Sequence, residues 1–246
     1  MKVFDDLKTH QNCIDCEERS PGFLCNLSPK ARQFFQTIKI ANTYQKGSRL
    51  FIEGQPAEGV FLLCSGRVKL TTHSRHGKAL ILGIATPGEV LGLHATVSNS
   101  LHETTAEVIE PCQVNFVKKC DFQRFLEQNA DAGINAMRQM SLQYSLAFAQ
   151  IRSLALSTNV AEKLARLLLG WSEGRISNNG SIHMKVTFSH EEMAEMIGTS
   201  RETVTRLLKS FRDQDLIAIN GSDFFIHDRP RLALTLDNGK RSKPVH

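Results

Sequence analysis

Short apolar runs alternate with glycine-containing turns from about residue 43 to residue 118. The runs include Val60-Phe61-Leu62-Leu63, Val68-Lys69-Leu70-Thr71 and Leu80-Ile81-Leu82. The turns fall at Lys46-Gly47, Glu53-Gly54, Ser65-Gly66, His76-Gly77 and Pro87-Gly88. Because short apolar runs bounded by turn residues are typical of antiparallel strands, this stretch predicts an all-β domain, either a sandwich or a roll.

A helical period replaces this pattern after about residue 121. From Asp131 to Ser157 there is no proline and no glycine after Gly133. Side chains of one long seam recur there at spacings of three and four: Ile134, Met137, Ser141, Tyr144, Phe148 and Ile151. Such a seam is typical of a long helix packed along another helix. A further helix is expected from Val160 to Trp171.

Two short amphipathic helices broken at Gly198 are predicted between residues 189 and 217. Ser189 and Glu192 have the spacing of a capping box, and Thr199 and Glu202 repeat it at the second helix. The buried stripes would be formed by Met193, Ala194 and Ile197, then by Val204, Leu207, Leu208 and Phe211. Glycine suits the left-handed residue that ends a helix. The pattern predicts a helix-turn-helix, and hence double-stranded DNA as a partner.

The polar face of the second helix supplies the candidate DNA contacts. They are Thr199, Ser200, Arg201, Glu202, Thr205, Arg206 and Lys209. The competing interpretation is a solvated helix with an i,i+4 charge pair between Glu202 and Arg206. Helix-turn-helix proteins commonly read paired half-sites about one DNA turn apart. We therefore favour a two-fold homodimer through the long-helix seam over packing of that seam on the chain's own β-domain.

The residues after the second helix read as a β-hairpin, which would be the wing of a winged helix. It consists of 216–219, the turn Asn220-Gly221-Ser222, and 224–226. The predicted fold class is therefore α+β. We expect a cysteine-containing segment over 1–27, a β-roll over 28–128, a dimerisation helix over 129–158, a winged helix-turn-helix over 159–237 and a disordered tail over 238–246.

Composition agrees with a DNA-binding protein of two domains. The chain has 246 residues, is 41% hydrophobic and 22% charged, and carries a formal net charge of +5, which suits a polyanionic partner. No apolar run reaches the roughly 18 residues of a membrane span, and the N-terminus lacks the apolar core of a signal peptide. We expect a cytoplasmic protein with no membrane partner.

The predicted order of β-roll, long helix and winged helix resembles the Crp/Fnr family of transcription regulators over nearly the whole chain. The stretches that carry the resemblance are KGSRLFIEGQPAEGVFLLCSGRVKL (46–70), PGEVLGL (87–93) and SRETVTRLL (200–208). The resemblance implies a jelly roll of the cyclic-nucleotide-binding kind. It also implies a homodimer and contact with RNA polymerase through surface loops such as 74–77.

Arg201, Glu202 and Arg206 match the positions that read base edges in this family. Their chemistry agrees, because arginine pairs bidentately with guanine O6 and N7 while glutamate accepts from cytosine N4. Thr205 stands where the Fnr branch tends to have serine. We predict a palindromic site whose half is closer to TGTGA than to TTGAT.

Three of the six cysteines, Cys13, Cys16 and Cys25, precede the roll. Thiolates at such spacing can hold one tetrahedral zinc ion or the irons of an iron-sulfur cluster. The group resembles the N-terminal cysteines with which oxygen-sensing Fnr proteins bind a [4Fe-4S] cluster, although its last gap is longer. The resemblance implies oxygen or redox sensing, while structural zinc and unliganded thiols remain alternatives.

Fnr-type sensors take a fourth ligand from a late strand of the roll, and Cys112 lies near that position. The aligned residue is about three positions later, near Asn115. An odd offset reverses the face of a strand, so Cys112 is either the fourth ligand or a core residue. Cys64, Cys120, His10 or a carboxylate are the other candidates.

Other ligands fit the sequence less well. Pro87-Gly88-Glu89 resembles nucleotide-binding members, but His102 and Glu103 replace the Arg-Ser pair that neutralises a cyclic phosphate. Near Phe148 the long helix also lacks the Thr-Ser pair that meets the base. We therefore expect no cyclic nucleotide.

Haem and enzymatic sites are not expected either. His94 matches a haem-ligand position of carbon-monoxide-sensing members of this family. Those members have a second ligand, a cysteine, two residues earlier, where this chain has Gly92. His73 and His76 lie in a polar turn and do not form the ligand set of a cupin-type oxygenase. The glycines form no phosphate loop, and Cys64, Cys112 and Cys120 have no His/Asp constellation that would mark a nucleophile.

Overall fold

The computed structural model of the chain describes residues 22–24, 26–157, 159–173, 175 and 181–235. The chain divides into two compact units, residues 1–147 and 148–246. The tail predicted over 238–246 lies outside the described residues. None of the helices in the described ranges has both the length and the apolarity needed to cross a bilayer.

The first unit is built on one antiparallel sheet, which confirms the predicted β-roll. Its strands are β1 (Lys39–Tyr44), β2 (Arg49–Phe51), β3 (Gly59–His73), β4 (Ala79–Ala85), β5 (Val90–Leu91) and β6 (Thr105–Lys118). The order is β1-β6-β3-β4, with β2 added on β6 and β5 on β3. The helices of this part of the chain are α1 (Pro29–Ile38), α2 (Leu93–Ser98), α3 (Lys119–Gln128) and α4 (Ala130–Leu156), and α4 extends beyond residue 147.

The turn predicted at Ser65-Gly66 is wrong, because β3 runs through both residues. Its pairing with β6 shifts register on either side of Ser65, which identifies an irregularity within one long strand. Gly66 has φ +82°, and a Cβ there would lie 2.3 Å from the Pro111 carbonyl oxygen and 2.7 Å from the Cys112 Sγ. Only glycine suits this site, since positive φ and close approach coincide.

Helix α4 has the length that the uninterrupted period predicted. Ala132 and Ala136 on one face are buried, together with Phe122 and Phe125 of α3, in the core beneath the roll. The predicted seam lies on another face and is exposed: Ile134 44%, Met137 64%, Tyr144 68%, Phe148 53% and Ile151 60%. Within the described part of the first unit, the β-roll therefore leaves Ile134, Met137 and Tyr144 of the seam exposed.

The second unit contains the predicted winged helix-turn-helix. Its elements are α5 (Val160–Trp171), β7 (Ile182–Lys185), α6 (His190–Ile197), α7 (Arg201–Asp213), β8 (Ile217–Asn220), β9 (Asp223–Ile226) and α8 (Arg229–Leu234). The predicted hairpin is β8-β9, and β7 joins it as a third strand in the order β7-β9-β8. Strand β7 and helix α8 were not predicted, because four and six residues are too few to show a clear period.

Candidate nucleic-acid interface

Helix α6 begins with the predicted capping box. The Glu192 backbone N–H donates to Ser189 Oγ at 3.2 Å, and the Ser189 backbone N–H donates to Glu192 Oε2 at 2.9 Å. Gly198 ends the helix with φ +69°. Met193, Ala194 and Ile197 are buried as predicted. The start, end and inner face of this helix thus follow from its own residues.

The capping box predicted between Thr199 and Glu202 is wrong, because α7 is capped one residue later and its third residue is Thr203 rather than a glutamate. The N-cap of α7 is Ser200, whose Oγ accepts from the Thr203 backbone N–H at 3.3 Å. Thr199 belongs to the end of α6, because its backbone N–H donates to the Ala194 carbonyl at 2.9 Å. Thr199 is therefore the residue after α6, and Ser200 is the N-cap of α7.

The inner face of α7 buries Val204, Leu208 and Phe211 against the rest of the unit. Its outer face exposes the residues that were expected to contact DNA: Ser200, Arg201, Glu202, Thr205, Arg206 and Lys209. Thr199 is half-buried. The structure therefore brings the cationic and polar candidates onto one accessible surface, as a recognition helix requires.

Glu202 lies at the positive end of α7 and is ready to accept hydrogen bonds. The bonds to its own backbone N–H and to the Ser200 hydroxyl lower the pKa of its exposed carboxyl. A carboxylate at the first turn of a helix is also favoured by the helix dipole. The group is thus ionised in the form that accepts from an exocyclic amino group of a base.

Thr205 has two hydrogen-bond partners that the sequence did not suggest. Its hydroxyl contacts the Arg201 carbonyl at 3.0 Å, one turn back in α7. His190 Nδ1, at the start of α6, lies 2.8 Å from the same oxygen. This contact joins the two helices directly on their exposed side. A separation of 15 residues gives no local signal for it.

The wing has a two-residue turn, Gly221-Ser222, between Asn220 and Asp223. Gly221 adopts φ +60°, as hairpin turns of this kind require. On β7, His183 Nε2 lies 2.6 Å from Asp223 Oδ1 and the ring stacks on Phe225 at 4.8 Å. Strand β7 therefore contacts the hairpin through β9, on the edge away from β8.

The structure describes only one of the four cysteines that were predicted to bind metal, Cys112. Cys13, Cys16 and Cys25 lie outside the described residues. Cys112 is completely buried in the core of the roll, with its Sγ 3.0 Å from the Glu110 carbonyl oxygen. Burial raises the pKa of this thiol to about 11. Within the described ranges, no three His, Cys, Asp or Glu side chains converge as a metal site.

The backbone on both sides of Cys25 is fixed to α4. Asn135 Nδ2 donates to the Phe23 carbonyl at 3.0 Å, and the Ser28 backbone N–H donates to Asp131 Oδ2 at 2.7 Å. That second bond lowers the pKa of Asp131. Phe23, Leu24 and Leu27 are buried in the same core as Ala132 and Ala136 of α4. Phe23, Leu24, Leu27 and Ser28 thus lie against the first turns of the helix that carries the seam.

Three residues on which the expected absence of a cyclic nucleotide rests, Glu89, His102 and Glu103, make contacts within the roll. Glu89 Oε1 accepts from the Thr86 backbone N–H and hydroxyl, both at 2.9 Å. His102 is buried and stacks on Phe51 at 3.9 Å, and burial lowers the pKa of its ring. Glu103 pairs with His94 at 3.1 Å. Burial thus disfavours the charged form of His102, and Glu103 is a carboxylate, so the expectation of no cyclic nucleotide stays a prediction.

Two family models match the chain. A Crp-like helix-turn-helix domain matches residues 162–235, and a cyclic nucleotide-binding domain matches residues 41–129. The first contains α6 and α7, while the second contains most of the roll. The two matches together include the candidate interface and most of the predicted β-roll.

Curated relatives resemble the chain over most of its length. It is 25% identical to the cAMP-activated global transcriptional regulator CRP of Pasteurella multocida over 203 residues. These residues are 82% of this chain and 96% of the relative. It is 25% identical over 236 residues to electron transport regulator A of Shewanella oneidensis, which covers 92% of both chains.

Solved structures share the fold. FixK2 from Bradyrhizobium japonicum superposes with a TM-score of 0.68 at 22% identity, covering 85% of this chain and all of that one. The c-di-GMP-responsive regulator CLP of Xanthomonas campestris gives a TM-score of 0.71 at 21% identity, covering 81% of this chain and 99% of that one.

Proposed function

Because this chain belongs to the Crp/Fnr family of DNA-binding transcription regulators, we propose that it reads a palindromic site as a homodimer, under the control of a [4Fe-4S] cluster held by its N-terminal cysteines. The observation that carries the DNA-reading step is the exposed outer face of α7. Two arginines, a carboxylate primed to accept hydrogen bonds, and Thr205 lie there together.

The residues of α7 define the half-site that we propose. Arg201 and Arg206 can each pair bidentately with a guanine, and Glu202 can accept from a cytosine amino group. This set suits the guanine-rich half-site TGTGA better than TTGAT. In a two-fold dimer, two copies of α7 would enter major grooves about 34 Å apart.

The dimer is proposed to form through the seam on α4. Five large apolar side chains are 44–68% exposed along one face of a 27-residue helix. A contiguous apolar stripe of this kind is typical of a protein interaction site, and a second copy of the same helix offers a complementary surface. The exposed turn at 74–77 is the proposed contact with RNA polymerase.

The proposed sensing step rests on the thiolates of the N-terminal cysteines and on hydrogen bonds between α4 and the chain next to them. Cys13, Cys16 and Cys25 supply soft thiolates, the ligands that iron-sulfur clusters require, and such a cluster supplies redox chemistry that oxygen can alter. Asn135 and Asp131 of α4 hydrogen-bond the backbone of Phe23 and Ser28, which flank Cys25 in the sequence. A change in this segment would therefore bias the packing of the dimerisation helix.

Cys112 remains the proposed fourth ligand, with a requirement that the structure makes explicit. Its thiol is buried and contacts the Glu110 carbonyl, so ligation needs the side chain to rotate away and lose its proton. Cys112→Ala decides between a ligand and a core residue. If Cys112 is a ligand, this variant should lose iron. If Cys112 is only a core residue, the variant should keep its iron and lose only stability.

The first test is the spectrum and the iron, sulfide and zinc content of protein purified without oxygen, followed during exposure to air. A broad band near about 400 nm that fades in air, with about four irons and four sulfides, is expected for the cluster. Stoichiometric zinc without colour would make the cysteine segment structural. DNA binding would then answer to another signal.

The coupling through α4 has its own test. Asn135→Ala should keep the cluster but weaken the effect of oxygen on dimerisation, measured by sedimentation. Gln139→Ala is the matched control, because Gln139 bonds α4 to Val90 of the roll rather than to the cysteine segment. Equal effects of both variants would contradict a specific role for Asn135.

A further inference from the structure

The Thr205 hydroxyl contacts two groups of the protein while its residue is exposed on the recognition surface. Its Oγ1 lies 3.0 Å from the Arg201 carbonyl and 2.8 Å from His190 Nδ1. A hydroxyl has one proton and two lone pairs, whereas a carbonyl can only accept. These two contacts therefore restrict what Thr205 can offer to DNA.

The restriction holds for either tautomer of His190. If Nδ1 carries a proton, it donates to Oγ1, and the hydroxyl proton goes to the Arg201 carbonyl. If Nδ1 is unprotonated, the hydroxyl proton goes to Nδ1 instead. In both arrangements the only proton of Thr205 is held within the protein, so the side chain is left with a lone-pair acceptor and its methyl group.

His190 also selects the orientation of that methyl group. Threonine in a helix splits between two χ1 rotamers, because its Oγ1 can bond a carbonyl of the preceding turn. Two simultaneous contacts on Oγ1 fix a single rotamer. The methyl group is then presented in one direction beside Arg201 and Arg206.

We propose that His190 is a positioning residue that makes Thr205 read an A·T pair within the half-site. The proposal rests on the proposed reading of DNA by α7. In the major groove, adenine N6 is a donor for the Thr205 acceptor, and the thymine C5 methyl is an apolar contact for its methyl group. A G·C pair also presents a donor, cytosine N4, but it has no methyl group in the major groove, so the contact with the thymine methyl carries the discrimination.

The test uses the anaerobically purified full chain and the duplex that it selects from a randomised pool. Fluorescence anisotropy measures Kd after each thymine of both half-sites is replaced by uracil, which removes only the C5 methyl. The same is done for each adenine with 2-aminopurine, which removes the N6 donor. One A·T position should show a loss on the order of fivefold for each replacement.

Variants assign that position. Thr205→Val keeps the methyl group and should respond to uracil but not to 2-aminopurine, while Thr205→Ser should show the reverse. His190→Ala should reduce both responses to less than about twofold while the duplex is still bound. His190→Gln, which keeps a donor and an acceptor, should restore them, and His190→Phe, which fills the space with neither, should not.

The outcomes separate three explanations. Equal weakening on all duplexes by His190→Ala, with both base responses intact, would show a purely structural role and overturn the proposal. A guanine preference that Thr205→Val abolishes would overturn it too, because it requires a hydroxyl donor. If the selected pool were bound no better than random DNA, the proposed reading by α7 would itself be wrong.

Discussion

The helix pair α6-α7 and the strand pair β3-β6 are specified over very different distances along the chain. In α6-α7, each helix is started, ended and oriented by residues within one or two turns, such as Ser189 with Glu192. In β3-β6, paired residues such as Leu62 and Asn115 are more than fifty positions apart. Local signals define the proposed DNA-reading surface, whereas long-range pairing defines the interior of the β-roll.

The largest expected effect comes from the long-range pair. Gly66→Ala should lower the free energy of unfolding of the first unit by about 3–5 kcal/mol, because backbone strain at positive φ adds to a clash with β6. Gly77→Ala is the matched control. Gly77 has φ +77°, but a Cβ there meets nothing within 4 Å, so strain alone should cost about 1–2 kcal/mol.

Denaturant unfolding monitored by circular dichroism measures both variants. Similar losses at Gly66 and Gly77 would contradict the view that the approach of Pro111 and Cys112 sets the requirement for glycine. The comparison of the two regions would then lose its clearest example.

The next effect concerns the seam on α4. Phe148→Asp should weaken dimerisation by at least about 100-fold, because two carboxylates would be buried near each other. Leu146→Asp is the control, since Leu146 is as exposed but lies about 200° around the helix from Phe148. Analytical ultracentrifugation measures the dimer. If both variants dissociated equally, the interface would lie on another face.

Substitutions on α7 should affect recognition but not folding. Arg201→Ala and Arg206→Ala should each cost about 1–3 kcal/mol of discrimination and relax preference at one base pair. Arg75→Ala removes an equal charge in the other unit and should leave the preference intact. Selection of TTGAT rather than a TGTGA-like half by the parent protein would contradict the proposed site.

The smallest expected effect tests the cap of α7. Ser200→Ala should lower stability of the second unit by about 1 kcal/mol, whereas Thr199→Ala should change it by only a few tenths. Thermal unfolding measures the difference. A larger loss at Thr199 would mean that the cap lies where the sequence spacing first placed it.

The candidate interface was predictable because its residues act locally. Arg201, Glu202 and Arg206 could be placed on one outer face from the helical period alone, and the structure leaves them exposed there. The cap of α7 was misplaced by one residue, since Thr199 and Ser200 both suit an N-cap. The contact between His190 and Thr205 could not be predicted, because it depends on the angle between two helices.

The chain's sequence by itself determined the order of the domains, the start and end of α6, the length of α4 and the polar face of α7, because these follow from periodicity and from caps within a few residues. Only the tertiary structure decided that Ser65-Gly66 lies within a strand, that Cys112 is buried, and that Asn135 and Asp131 hydrogen-bond the backbone of Phe23 and Ser28. Those features depend on which distant segments meet, and a local pattern carries no information about that.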